Sequence, residues 1–200
     1  MEIEIRRLKQ ELLDDYLYFF DNTAFTDHKE WSRCYCIHFH TYEEMNDEYK
    51  AYSSTGKTDF TRVKVSQFIR NGMIQGYLAY IDGQVVGWVN ANDKKNYTSL
   101  KNNVNPGLWT DDEDCNVKSI VCFLVSPDMR RKGISTKLLE RVCADAREDN
   151  YDFIEAYPPI GECDMYVAHH GTVELYKKCG FTIHTQLNQS CIMRKYLANN

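Results

Sequence analysis

Residues 117–148 constrain the fold more than any other part of this sequence. Val117-Lys-Ser-Ile-Val-Cys-Phe-Leu-Val125 is almost continuously apolar, as expected of a strand covered on both faces. Pro127 ends it, and residues 131–148 then place Ile134, Leu138, Leu139, Val142, Cys143 and Ala146 on one helical face. A buried strand therefore runs through a short turn directly into an amphipathic helix. Backbone N–H groups at a helix N-terminus lack intrahelical partners and lie at the positive end of the dipole, so they favour a phosphate. Gly133 has no side chain to hold an anion away, and Arg130, Arg131 and Lys132 add positive charge. The stretch reads as a phosphate or pyrophosphate cradle. It is neither the dinucleotide fingerprint G-x-G-x-x-G nor a Walker loop. The alternative is a solvated basic turn or a short targeting patch, which would need no strand before it and no amphipathic helix after it.

The remaining pattern supplies the rest of a sheet. MEIEIRR alternates as a first strand, and residues 8–20 carry Leu8, Leu12, Leu13, Leu17 and Phe20 at helical spacing. A helix is expected at 42–52, followed by the polar break SSTGKTD and by VKVSQFIRNG ending on Gly72. Two strand-like runs from Gly76 to Ala91 flank Asp82-Gly83, a strong hairpin signal. A long polar loop over 92–116 contains the acidic run Asp111 to Asp114, read either as solvated surface or as a recruiter of a cationic substrate. FIEAY, residues 153–157, is a strand stopped by Pro158-Pro159. A helix from about 170 to Cys179 has Gly180 in the C′ position, and FTIHT and SCIMRKY close the chain as strands. The order implies an α/β or α+β domain, a mixed sheet covered by helices. At 200 residues and 43% hydrophobic content the chain suits one domain with a real core.

Charge and cysteine usage narrow the function. A net charge of −5 argues against a general nucleic-acid binder and mildly favours a neutral or cationic partner. The longest apolar stretches, Ile120–Val125 and Leu17–Phe20, fall far short of the ~20 residues of a membrane helix. MEIEIRRLKQELLDD lacks the basic-then-apolar order of a secretion signal, so a cytoplasmic location is expected. The eight cysteines then read as free thiols or metal ligands. Cys34, Cys36, His38 and His40 would share one face of an extended strand but span about 20 Å, too far for one ion. The segment either curls around a metal or is structural or acceptor-lining beside Trp31 and Tyr35; no metal is expected. No Ser-His-Asp or Cys-His pair argues for a hydrolase.

Arg130-Arg131-Lys132-Gly133-Ile134-Ser135 resembles the R-x-x-G-x-G/A signature of the GNAT superfamily of acyl-CoA-dependent N-acyltransferases. The preceding F-L-V-S-P resembles that family's fourth strand and its proline. Leu175-Tyr176-Lys177-Lys178-Cys179-Gly180-Phe181 resembles its second signature, L-Y-x-x-x-G-F. The resemblance covers roughly residues 75–196, two signatures in order being far more specific than either alone. It implies a central mixed sheet with a splayed middle strand, residues 76–200 as acetyl-CoA-binding core and 1–75 as acceptor side of a single domain. Ser135 departs from the usual Gly or Ala but is small and can donate to a phosphate. The connection over 158–168 is long, and His169 falls about where the family carries a cofactor-touching asparagine near the helix start.

The resemblance implies acetyl-CoA as co-substrate, with its pyrophosphate on the amides of Arg131 to Thr136 and its pantetheine beside Phe123, Leu124 and Val125. The same strand's amides would polarise the thioester oxygen, usually the largest contribution in acyl transfer. An amine of a small molecule or peptide would attack directly, and a lysine-like amine of pKa ~10.4 must first lose a proton. Glu155 is the candidate base, since alternation in FIEAY puts it on a face with Phe153 and Tyr157; it could equally be a surface carboxylate. The resemblance gives Tyr176 the role of acid to the departing thiolate, and a core aromatic is the alternative. The expected activity is N-acetyl transfer by a monomer or homodimer. Its rivals are a catalytically weak CoA-binding regulatory module of the same fold and, on the cysteines, a metal-dependent redox sensor.

Overall fold

The computed structural model describes residues 2–32, 34–40, 47–51, 59–102, 107–110, 112, 114–161 and 165–197. One mixed sheet of seven strands runs through it in the order β1-β2-β3-β4-β5-β7-β6. The strands are β1 (Glu4–Arg7), β2 (Gly76–Ile81), β3 (Gln84–Asp93), β4 (Val117–Val125), β5 (Phe153–Ala156), β6 (Thr182–Gln186) and β7 (Cys191–Tyr196). Only the β4–β5 pair is parallel. The helices are α1 (Leu13–Tyr18), α2 (Phe60–Arg70), α3 (Thr98–Asn102), α4 (Ile134–Glu148) and α5 (Val173–Lys178). A parallel pair needs a crossover, and α4 supplies it between β4 and β5. Residues 47–51 are helical; the rest of the helix expected at 42–52, and the SSTGKT part of the break after it, lie outside the described residues.

Local chemistry explains the ends of these elements. Asp82 and Gly83 both have positive φ, 50° and 76°, which is the turn a two-residue hairpin requires. At the end of α4, the Tyr151 N–H donates to Ala146 O at 3.0 Å across Asn150 (φ 59°), which satisfies a terminal carbonyl. The helix expected over 8–20 divides into a 3₁₀ turn at Gln10–Leu12, α1, and a π turn at Phe19–Thr23, where the Ala24 N–H reaches Phe19 O. The helix expected from 170 begins instead at Val173. Gly171, with φ 80°, breaks the preceding 3₁₀ turn (Met165–His170), and the Thr172 hydroxyl accepts from the Leu175 N–H at 3.1 Å as a cap. The loop expected over 92–116 contains a 3₁₀ turn at Lys94–Asn96 and α3.

The sheet separates two cores. On one face, α4 buries Ile134, Leu138, Leu139, Val142 and Ala146 against Ala79, Val89, Ile120, Ile154 and Ala156. On the other, Tyr16, Phe19, Phe20, Ile37, Val65 and Phe68 cover Leu78, Trp88 and Cys122. The β3–β4 register slips between Asn90↔Cys122 and Ala91↔Ile120, so Val121 is an extra residue on β4. Val121 and Cys122 consequently face the same core in succession, which strict alternation forbids. The bulge lies just past Ile120↔Ala156, the last β4–β5 pair, so β4 turns away where β5 ends. Among the described residues no helix is long and apolar enough to cross a membrane.

Candidate active site

The open edge of β4 leads into the turn and the N-terminus of α4. The Ser126 N–H donates to Val86 O on β3 at 3.0 Å, so residues of that parity face β3. Phe123 and Val125 therefore turn their N–H and C=O groups toward the side that β5 has left. A 3₁₀ turn, Pro127–Met129, follows, and then two residues with positive φ, Arg131 at 63° and Gly133 at 82°. The first intrahelical donor of α4 is the Lys137 N–H, to Gly133 O at 3.0 Å, and among the described residues no side chain caps this end. The amides of Ile134, Ser135 and Thr136 are thus presented at the positive end of a 15-residue helix. A Cβ on Gly133 would meet no atom within 4 Å, so the approach to these amides is open. Ile134 gives its side chain to the core beside Gly87, leaving only its backbone at the turn.

Other predicted site residues lie differently from expectation. Arg131 and Lys132 are exposed at the turn, but the Arg130 guanidinium is ion-paired with Asp27, whose carboxyl it holds below the usual range. Arg130 also donates to Val125 O, so it ties the turn to the 19–28 region rather than extending a free charge into the cradle. His169 is not at the start of α5; it belongs to the 3₁₀ turn before it and packs on His170 with the rings tilted by 38° and centroids 4.1 Å apart. His170, which the sequence did not single out, sits in the gap, its Nδ1 2.9 Å from Val121 O. With Nδ1–H donating there, Nε2 keeps its lone pair. Burial, with His169 beside it, pushes His170 down to about 3, so the ring is neutral.

Tyr176 is fully buried on α5, its ring 6.2 Å from that of Phe123 and 5.2 Å from that of Phe181. Its hydroxyl donates to His170 O at 2.9 Å, and burial raises its pKa far above the ordinary value. The phenol therefore stays protonated beside the open edge of β4. Gly171 permits this contact: a Cβ there would lie 3.0 Å from the Tyr176 ring.

Glu155 lies on β5 facing the Trp88 core, fully buried, with both oxygens engaged. Oε1 takes Lys94 Nζ and the Tyr157 hydroxyl, each at 2.8 Å; Oε2 takes Arg194 Nε at 2.8 Å. Asp112 closes the cluster, 2.7 Å from Arg194 and 3.3 Å from Lys94. Burial opposes the charge on Asp112, but the Thr110 hydroxyl and the two cations outweigh it and lower its pKa. This corrects both readings of the acidic run as they apply to Asp112, which is an internal ion partner; Asp111 and Glu113 lie outside the described residues. It also corrects the reading of Glu155 as a surface carboxylate. Sequence alone does not pair Lys94 and Arg194 with it, because they come from the 3₁₀ turn after β3 and from β7.

The Cys34–His40 segment curls, with Tyr35 and Cys36 at φ 42° and 45°, but its side chains diverge. Cys36 Sγ lies 2.9 Å from Cys122 Sγ, whereas His40 packs on Tyr97 with Nε2 3.4 Å from the Asn90 amide nitrogen. Burial pushes His40 down to about 4.

The model of the acetyltransferase (GNAT) family matches residues 5–181 of this sequence. The chain belongs to the GNAT acetyltransferase family. Acyl-CoA-dependent acetyl transfer is the activity that membership implies. Solved structures share the fold at low identity. The PaiA N-acetyltransferase of Thermoplasma acidophilum, in complex with coenzyme A, is 16% identical, with a TM-score of 0.54 over 98% of this chain and 99% of that one. The GNAT domain of S. lividans PAT gives 13% identity and a TM-score of 0.57 over 98% and 90%. The phosphinothricin acetyltransferase of Sinorhizobium meliloti, in complex with AcCoA, gives 16% and 0.53 over 99% and 90%. No curated protein matches the sequence. The two GNAT signatures read from the sequence fall at the turn and first residues of α4 and over α5 with the three residues that follow it.

Proposed function

We propose that this GNAT acetyltransferase moves the acetyl group of acetyl-CoA to the primary amine of a small molecule or peptide by direct attack. The observation that carries the reading is the uncapped N-terminus of α4 directly following the unpaired edge of β4. Residues 131–136 offer amides and two exposed cations to a pyrophosphate, and the space beside Gly133 is open. Phe123 offers its N–H and C=O, and Val125 its N–H, to an extended amide-bearing arm, while Arg130 occupies the Val125 carbonyl; an amide donor from the same edge would polarise a thioester oxygen. Bound acetyl-CoA supplies an activated acyl group and a thiolate leaving group. The first 75 residues would form the acceptor side.

Tyr176 is the proposed acid. Its hydroxyl is protonated, its ring packs on that of Phe123 of β4, and the hydroxyl would have to exchange the His170 carbonyl for the thiolate. Glu155 is proposed as a positioning residue rather than the base, because its lone pairs are already committed to Lys94, Arg194 and Tyr157. His170, at about 3, is too weak to deprotonate an alkylammonium. The acceptor amine would therefore arrive neutral, losing its proton to water. At pH 7.4 about one lysine-like amine in a thousand is neutral.

The engagement of Glu155 also keeps alive the second reading, a CoA-binding module of little turnover. Thiol release from acetyl-CoA across a panel of small amines and peptides, with product masses, separates the two. An amine-dependent gain of 42 Da, one acetyl group replacing one hydrogen, supports transfer; binding without amine-dependent release supports the module.

A further inference from the structure

At the far end of β4 from the cradle, a cavity of about 370 Å³ opens between the sheet and the segments leading into β1's exit and β2's entry. Among the described residues its charged lining is all cationic: Arg7, Lys9, Arg70 and Lys118, with Gln10 and Gln75 among them. Lys118 is the second residue of β4, and Val125 is seven residues further along, about 23 Å at ~3.3 Å per residue. The cavity is thus separate from the candidate active site.

Lys118 is only 3% exposed and lines this space. Among the described residues its ammonium has no carboxylate within ion-pair distance and no hydrogen bond; its contact is the face of Tyr151, 4.9 Å to the centroid. Lysine is almost never this buried without a partner, because an uncompensated charge out of water is costly. Burial and the charge of Arg7 push Lys118 down to about 8, against the pull of Asp149, Asp93 and Asp145. Arg7 is already met by Asp145 and Asp149, at 2.9 and 2.8 Å, and Arg141 takes the other oxygen of Asp145 at 2.6 Å, so these two arginines and two carboxylates balance. Lys9 and Arg70 are exposed, with no ion pair among the described residues. Asp93, opposite Lys118 in the β3–β4 ladder, offsets one positive charge. Lys9, Arg70 and Lys118 against Asp93 leave two positive charges unmatched, and the volume exceeds what a bare inorganic anion fills.

We propose that this cavity is a binding site for a small organic dianion, a phosphomonoester or a dicarboxylate, held by Lys118 at its base and by Arg70 and Lys9 at its rim. The bound dianion gives Lys118 the direct ion pair that it lacks among the described residues, and Gln10 and Gln75 can donate to the remaining oxygens. The site does not depend on the identity of the acceptor amine.

Thermal unfolding of the full chain with glycerol 3-phosphate, succinate or inorganic phosphate, at ionic strength matched with chloride, tests it. The phosphomonoester and dicarboxylate arms distinguish the two ligand sources. At least one organic dianion should raise Tm by several degrees, and calorimetric affinity should fall about tenfold or more in both Lys118→Met and Arg70→Gln. Arg70→Gln alters an exposed helix end, so it serves even if Lys118→Met folds poorly. Gly133→Asp should keep the effect, because its lesion lies at the α4 cradle. No shift with any probe overturns the proposal. A shift that survives in Arg70→Gln but disappears in Gly133→Asp overturns it too, placing the anion on α4 instead.

Discussion

Replacing Glu155 by glutamine distinguishes a catalytic base from a structural counter-ion, because the two roles predict opposite pairs of results. The carboxylate is fully buried, and Lys94 and Arg194 each lie 2.8 Å from it with side chains only 5% exposed. A glutamine keeps the volume but turns one oxygen into an NH2 donor, which must then face either Lys94 with Tyr157 or Arg194 with Thr110. Two buried cations would be left with Asp112 as their remaining carboxylate among the described residues. Breaking a buried pair by removing one partner costs about 3–5 kcal/mol. At ~2–4 °C per kcal/mol for a chain of this size, Tm should fall by roughly 6–20 °C. Scanning calorimetry or urea titration measures this directly. Adding Lys94→Met should recover part of the loss, since neighbours in one network couple. Acetyl-CoA-dependent turnover of the folded fraction, assayed well below its Tm, should fall by less than about tenfold. A Tm within about 2 °C of the parent, with turnover down 10²- to 10⁴-fold, would refute the argument and restore Glu155 as base.

Three further outcomes follow from the same geometry. Tyr176→Phe retains the ring contacts with Phe123 and Phe181 but removes the proton donor, so kcat should fall about 10²- to 10⁴-fold with KM for acetyl-CoA nearly unchanged. Steady-state kinetics decides, and near-normal turnover would make Tyr176 a core aromatic. If the amine must arrive neutral, log(kcat/KM) for an acceptor of pKa ~10.4 should rise about one unit per pH unit between pH 6 and 9. A plateau beginning near pH 7 would reveal a protein base. Burial lowers His40 to about 4 and His170 to about 3, so below pH 6.5 the unfolded chain binds more protons than the folded one. Stability from these rings is present above pH 6.5 and lost as pH falls: at pH 5 about 2 kcal/mol each relative to pH 7. Urea unfolding should show the loss, and His40→Gln should remove about half of its pH dependence.

How much could be read in advance tracks how local the information is. The β4–turn–α4 unit lies in one continuous stretch, so apolar continuity, Pro127, Gly133 and the 3.6-residue periodicity placed the strand, the turn and the open helix end together. The Asp82-Gly83 hairpin was legible for the same reason. The bulge at Val121 was not, because one extra residue in an all-apolar strand leaves no mark in the pattern. The start of α5 was misjudged although Gly171 and Thr172 are both visible breaking and capping signals. The environment of Glu155 was out of reach: its partners lie 39 residues later and in the turn after β3, and only the assembled sheet brings them together. Arg130 likewise meets Asp27 across 103 residues, which turns an expected phosphate ligand into a clamp on the turn.

Paired thermal-shift titrations of the parent chain and Gly133→Asp decide whether the amides of residues 131–136 hold acetyl-CoA. At 100 times its Kd, acetyl-CoA should stabilise the parent by ~2.7 kcal/mol, a rise in Tm of roughly 5–11 °C. Aspartate at φ 82° would place a side chain and a negative charge in the space now open beside the α4 amides, so the shift should vanish in the variant. An equal shift in both proteins would contradict the cradle and move the binding site elsewhere.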